Sequence, residues 1–161
     1  VQDPIVTIED FSTGTNGWTT NDGPAALWVD RTGALCLVDN EPGDLTLFLP
    51  AFLGDWGGPK GQFEFTAYYE GSNQWPLVIT LHSPAGSAVF RDGLTNLEGA
   101  GSEHISRPLD EIWWEEDGDW ATILANVTQV EIVVDIKDGH SGANEICIDD
   151  VVLTRVPRLP I

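Results

Sequence analysis

At 161 residues and 42% hydrophobic content, the chain is long enough to bury a core as one domain and too apolar to be disordered throughout. Its 26 acidic and 7 basic residues give a formal net charge of −19, with Lys60 and Lys137 the only lysines. Nucleic acid and anionic membrane surfaces are thereby excluded as partners, since both require clustered Lys and Arg, and no run of about 18 apolar residues offers a membrane span.

The stretches before Ile5 and after Arg155 are Pro-containing and read as linkers around a single module at 5–155, an arrangement expected of a piece of a longer chain. Ile5–Phe11 alternates apolar and polar side chains and predicts a first strand, closed by the turn residues Ser12–Gly17 before Trp18. Pro24–Asp30 and Ala34–Val38 flank Arg31-Thr32-Gly33, a three-residue connection ending in Gly that suits a hairpin. Asp44–Leu49 is a short strand stopped by Pro50. Gln62–Glu70 alternates cleanly, with Phe63, Phe65, Ala67 and Tyr69 on one face and Glu64, Thr66, Tyr68 and Glu70 on the other. Pro76–His82 and Ser87–Phe90 form a further hairpin around Pro84-Ala85-Gly86, Gly93–Gly101 reads as loop, and His104–Arg107 as a strand.

Leu109–Trp114 fits either a strand or a helical turn. Asp119–Asn126 fits a short helix with Asp119 as its N-cap. Gln129–Lys137 alternates with Val130, Ile132, Val134 and Ile136 inward, and Glu145–Leu153 is the final strand. Many short strands, frequent Gly and Pro turns and at most one or two helical turns predict an all-β fold, an antiparallel β-sandwich of jelly-roll type.

Three constellations could carry chemistry. Glu9, Asp10, Asp149 and Asp150 converge with the carbonyls of the Arg31–Gly33 turn if the first and last strands are neighbours. Such an oxygen set is what Ca²⁺ takes, although solvated edge carboxylates are the plainer reading. The two cysteines, Cys36 and Cys147, lie in strands and either pair or remain buried thiols. Paired, they would close a loop of more than a hundred residues, for about 4–5 kcal/mol as an upper figure. The third is a set of seven tryptophans. Trp18 and Trp28 fall where strands pack. Trp56 and Trp75 stand in Gly/Asn-rich loops, where an indole either grips a sugar ring or plugs the sandwich end, and Trp113-Trp114 in a strand would point one in and one out. Carboxylates are too numerous to mark a glycosidase, His82, His104 and His140 are isolated, and Asn126-Val127-Thr128 is a glycosylation sequon.

The terminal segments resemble family-four carbohydrate-binding modules, in Asp10-Phe11, Gly17-Trp18, Thr32-Gly33-Ala34-Leu35-Cys36 and Ile146-Cys147-Ile148-Asp149-Asp150-Val151. That resemblance implies a structural Ca²⁺ held by Asp10, the Gly33 carbonyl and Asp149, and a disulfide between Cys36 and Cys147. The middle resembles the laminin domain IV family, in Leu49-Pro50-Ala51-Phe52-Leu53-Gly54-Asp55 and in Trp120 with Ile123-Leu124-Ala125-Asn126-Val127-Thr128-Gln129-Val130-Glu131-Ile132. Where the cellulose-binding modules place a groove aromatic after Gly-Trp, this chain has Thr19, Thr20, Asn21 and Asp22, so the cellulose site does not carry over. By residue type a glycan site would draw on Trp56, Tyr68, Trp75, Trp113 or Trp114. The expectation is a secreted, non-catalytic module that binds polysaccharide, the alternative being a laminin-like adhesion or spacer module with a protein partner.

Overall fold

The computed structural model describes residues 3–20, 27–39, 43–58, 60–70, 75–90, 95–97, 101–136 and 144–157. Among the described residues thirteen strands run in order: β1 Ile5–Glu9, β2 Thr19–Thr20, β3 Leu27–Val29, β4 Leu35–Asp39, β5 Gly43–Phe48, β6 Gln62–Glu70, β7 Trp75–Ser83, β8 Gly86–Phe90, β9 Thr95–Leu97, β10 Gly101–Pro108, β11 Trp114–Asp117, β12 Gln129–Ile136 and β13 Asn144–Arg155. Between them lie a 3₁₀ turn at Pro50–Phe52, another at Glu111–Trp113, and helix α1, Trp120–Ala125.

The strands form two antiparallel sheets, an all-β sandwich. Sheet A has the order β10-β6-β13-β4-β3 with β1 also on β13, and sheet B the order β11-β8-β7-β12-β5-β2 with β9 also on β7. Alternation decides which side chains fill the space between. From sheet A come Phe63, Phe65, Ala67, Leu35, Ile148, Val151 and Leu153; from sheet B come Leu47, Ile79, Leu81, Ala88, Phe90, Val130, Ile132 and Trp114. Burying these apolar faces is the main force holding the layers together.

The last strand needs one correction to strict alternation. Counting by twos from the core residue Ile148 would turn Asp150 inward. Instead the pairing of β13 with β6 shifts between Asp149 and Val152, and Asp150 adopts φ +51°. The extra residue of this β-bulge leaves the Asp150 side chain exposed and directs Val151 and Leu153 inward.

One end of the sandwich is closed by the two segments that resemble laminin domain IV, and they close it on each other. Gly54 and Val127 exchange backbone hydrogen bonds of 2.8 Å in both directions, and the Trp56 N–H donates to the Leu124 carbonyl at 2.8 Å. Helix α1 is positioned by its cap: Asp119 Oδ2 accepts from the Thr122 N–H at 3.0 Å and from its hydroxyl at 2.6 Å. This puts Ile123 and Leu124 into the core beside Phe52 and Trp56. At the β7–β8 hairpin, a Cβ on Gly86 would collide with the Asp117 carbonyl, so the hairpin packs against the end of β11 only with glycine there.

Two elements depart from expectation. Part of the predicted loop Gly93–Gly101 is strand β9, which pairs Thr95–Leu97 with Leu77–Trp75. The β2 pair, Thr19–Thr20 against Phe48 and Leu47, was hidden in the segment after Trp18.

Candidate functional site

Two regions concentrate chemistry, one on each side of sheet A. The first is the corner where β1, the Asp30–Ala34 turn and β13 meet. Cys147 pairs with Cys36 across the β13–β4 ladder, and the two sulfurs are joined as a disulfide. Asp30, at the entry to the turn, acts as a clamp. Its Oδ1 accepts from the Thr32 N–H at 2.9 Å, the Thr32 hydroxyl at 2.7 Å and the Ala34 N–H at 3.0 Å. Its Oδ2 lies 3.6 Å from Cys36 Sγ, a contact without a proton because the sulfur is in the disulfide. Gly33 takes φ +88°, and a Cβ there would lie 4.0 Å from the Asp10 carbonyl, so the turn and the end of β1 approach through backbone.

The electrostatics of this corner follow from the convergence of three carboxylates. The hydrogen bond from the Ser12 N–H, at 3.0 Å, holds Asp10 below the usual carboxylate range. The Thr32 hydroxyl, with the turn amides, does the same for Asp30. Asp149 moves the other way. Desolvation pushes its pKa up, and the charges of Asp150, Asp10 and Asp30 add to that, against one favourable hydrogen bond from the Asp150 N–H at 2.8 Å. The charges acting on Asp149 are thus all negative. Hard oxygen donors beside a left-handed glycine turn suit a cation such as Ca²⁺. The predicted ligands Asp10, Gly33 and Asp149 lie in this one corner, and Asp30 joins them through the turn it clamps. The cysteines add no metal ligand, being consumed in the disulfide.

The second region is the seam where β10, at the edge of sheet A, meets β8 and β11 of sheet B. Of the tryptophans whose side chains are described, Trp18, Trp56, Trp114 and Trp120 are buried, and only Trp113 is exposed, at 41%. Its ring lies parallel to Phe90, 9° between planes and 6.5 Å between centroids. The Arg107 guanidinium sits 4.5 Å above the Phe90 ring and donates to the Ser106 carbonyl at 3.0 Å. Phe90, Ser106, Arg107, Pro108 and Trp113 line an open cavity of about 260 Å³. Its lining is aromatic and apolar apart from Ser106 and the Arg107 cation. A larger hollow of about 420 Å³, including Thr19, Phe48, Leu53 and Gln129, lies at the other edge of sheet B and has no tryptophan.

The remaining expected sugar residues separate sharply. Trp56 is fully buried: its Nε1 donates to the Phe52 carbonyl at 2.7 Å and its ring packs on Phe63, centroids 5.5 Å apart, so the loop tryptophan is a core plug. Trp114 is likewise fully buried, donating to the Pro108 carbonyl at 2.7 Å and packing on Phe90 and Trp120. Neither has a face open to a sugar ring, which corrects both assignments. Trp75 opens β7, but its side chain, like that of Trp28, lies outside the described residues. Tyr68, 43% exposed, stands on the solvent face of sheet A. Asp30 and Arg107 were missed. The Asp-x-Thr spacing of a side-chain-capped turn was a usable signal for Asp30, whereas nothing local marks Arg107.

No protein-family model matches the chain, and no curated protein matches its sequence. In fold it resembles the L4b domain of human laminin α2, with TM-score 0.64 and 12% identity over 86% of this chain and 90% of that one. It also resembles a carbohydrate-binding module, CBM4, with TM-score 0.53 and 21% identity over 89% of this chain and 97% of that one. On the agarase AgWH50C it overlays with TM-score 0.64 and 12% identity over 92% of its own length, yet spans only 26% of that chain. At these identities the likeness establishes the shared β-sandwich fold.

Proposed function

We propose that the chain is a non-catalytic, extracellular carbohydrate-binding module, and that the Trp113 cavity holds the sugar. The observation that carries this is the exposed indole of Trp113, parallel to Phe90 and flanked by Arg107 and Ser106. An aromatic face offers itself to the apolar side of a pyranose ring, and the guanidinium and hydroxyl are placed for its hydroxyl groups. The likeness in fold to CBM4 supports the reading. The ligand class is neutral, because a net charge of −19 repels polyanionic glycans at long range. A glycosidase acid needs a raised pKa beside the sugar. The described carboxyl with that property, Asp149, belongs instead to the corner on β13. Extracellular placement rests on the disulfide, which persists in oxidising compartments.

In the same reading the corner holds a structural Ca²⁺ through Asp10, the Gly33 carbonyl and Asp149. The ion would neutralise three mutually repelling carboxylates and tie the first strand to the last. Affinity electrophoresis in gels containing mannan, agarose or soluble cellulose derivatives tests the binding function. Retardation on any of them supports it; free migration across the panel overturns it in favour of a laminin-like spacer, the reading to which the L4b likeness points.

A further inference from the structure

The solvent face of sheet A carries an ordered polar row that leads away from the Trp113 cavity along β10 and β6. Cross-strand partners share a face, so the register places Ser102 beside Tyr68, His104 beside Thr66, Ser106 beside Glu64, and Pro108 beside Gln62. These side chains are tied to one another. His104 meets the Thr66 hydroxyl through Nδ1 at 3.2 Å and Glu64 Oε1 through Nε2 at 3.1 Å, and the Gln62 amide donates to the Ser106 hydroxyl. At one end of the row Tyr68 is 43% exposed. At the other, Ser106 and Pro108 also line the Trp113 cavity.

We infer that this row is the continuation of the saccharide site, so that a neutral polysaccharide whose one ring rests on Trp113 runs along β10 and β6 and lays a second ring on Tyr68. This rests on the sugar-binding reading above. Two features favour a glycan chain as the occupant. The row presents hydroxyl, imidazole, amide and carboxylate groups held at fixed positions by their mutual hydrogen bonds, so little side-chain ordering is left for binding to supply. It also holds the Glu64 carboxylate, which disfavours anionic chains. Gln62, beside the cavity-lining Pro108, and Tyr68 are six residues apart on β6, about 20 Å along the strand. That exceeds one sugar ring, so an oligosaccharide engages both platforms and a disaccharide at Trp113 does not.

Titration calorimetry with manno-, cello- and agaro-oligosaccharides from disaccharide to hexasaccharide tests this. Wild-type protein is expected to gain affinity with chain length in the series it binds. Tyr68→Ala, whose unfolding midpoint should match wild type because the ring is exposed, is expected to lose about three- to tenfold in hexasaccharide affinity. Affinity that does not rise with length, or a Tyr68→Ala hexasaccharide affinity equal to wild type, overturns the extended site while leaving the Trp113 reading intact. Wild-type protein that binds none of the series, nor any polysaccharide in the gels, overturns both.

Discussion

The disulfide corner and the aromatic seam are built in opposite ways. The corner is covalent and joins the two ends of the chain: a turn clamped by its own Asp30, a disulfide between positions 111 residues apart, and a bulge just after Asp149. The seam is assembled within one stretch of the chain, from Phe90 on β8, Arg107 on β10 and Trp113 just before β11, with no covalent tie. The corner therefore holds the sandwich shut while the seam leaves an aromatic face open. Within the seam the same contrast repeats at adjacent residues. Trp114 turns inward, bonded to the Pro108 carbonyl, and Trp113 turns out. One indole serves stability and its neighbour is free to serve binding.

Breaking the corner should have the largest effect. The double substitution Cys36→Ser/Cys147→Ser opens a loop spanning 111 residues, for an expected loss of about 4–5 kcal/mol in denaturant unfolding, an upper figure. A loss below about 1 kcal/mol would show that the corner does not lock the fold. Next, Trp114→Ala should cost about 3–5 kcal/mol from the cavity it leaves, whereas Trp113→Ala should change stability by no more than about 0.5 kcal/mol. Equal losses at the two positions would remove the distinction between them.

The calcium proposal sharpens the comparison. Ca²⁺ at a hundredfold excess over its dissociation constant should raise stability by about 2.7 kcal/mol, and Asp149→Asn should abolish the shift. No change in the thermal midpoint with Ca²⁺ or chelator would leave the corner a set of bare carboxylates.

The smallest effect expected is in the acid limb. Asp30 and Asp10 lie below their ordinary pKa of 3.8. Their stabilisation is therefore complete above that pH and is lost as pH falls through their lowered folded values. Asp149, raised above 3.8, has the opposite sign: the folded state holds its proton more tightly, so stability falls as pH climbs from 3.8 through the raised value. Thr32→Val removes the largest cause of the Asp30 shift and should flatten the loss below pH 3.8, as followed by pH-dependent unfolding.

Much of the architecture was readable because period-two patterns are local. Gln62–Glu70 is a strand with the same bounds as its alternation, and the Asp119 cap marked the start of α1. What escaped lacks a local signal. Strand β9 is only three residues long and exists because β7 is beside it, and β2 is a two-residue pair. The first and last strands pair, and Cys36 and Cys147 form the disulfide that the resemblance implied. Of the two readings open for Trp56, the plug holds, and what decides it is not local. A Gly-rich loop reads as exposed, but the Gly54–Val127 bridge folds this one over the sandwich end and buries the indole. The cavity at Trp113 depends on β8, β10 and β11 meeting, which no pattern within any one of them encodes.

The central claim is that the outward indole of Trp113 holds the sugar. Titration calorimetry of wild-type protein and Trp113→Ala against the polysaccharide that retards wild type in gels tests it most directly. The account predicts at least a tenfold loss of affinity with an unchanged unfolding midpoint. Equal affinity in the two proteins would contradict it and move the site away from the seam.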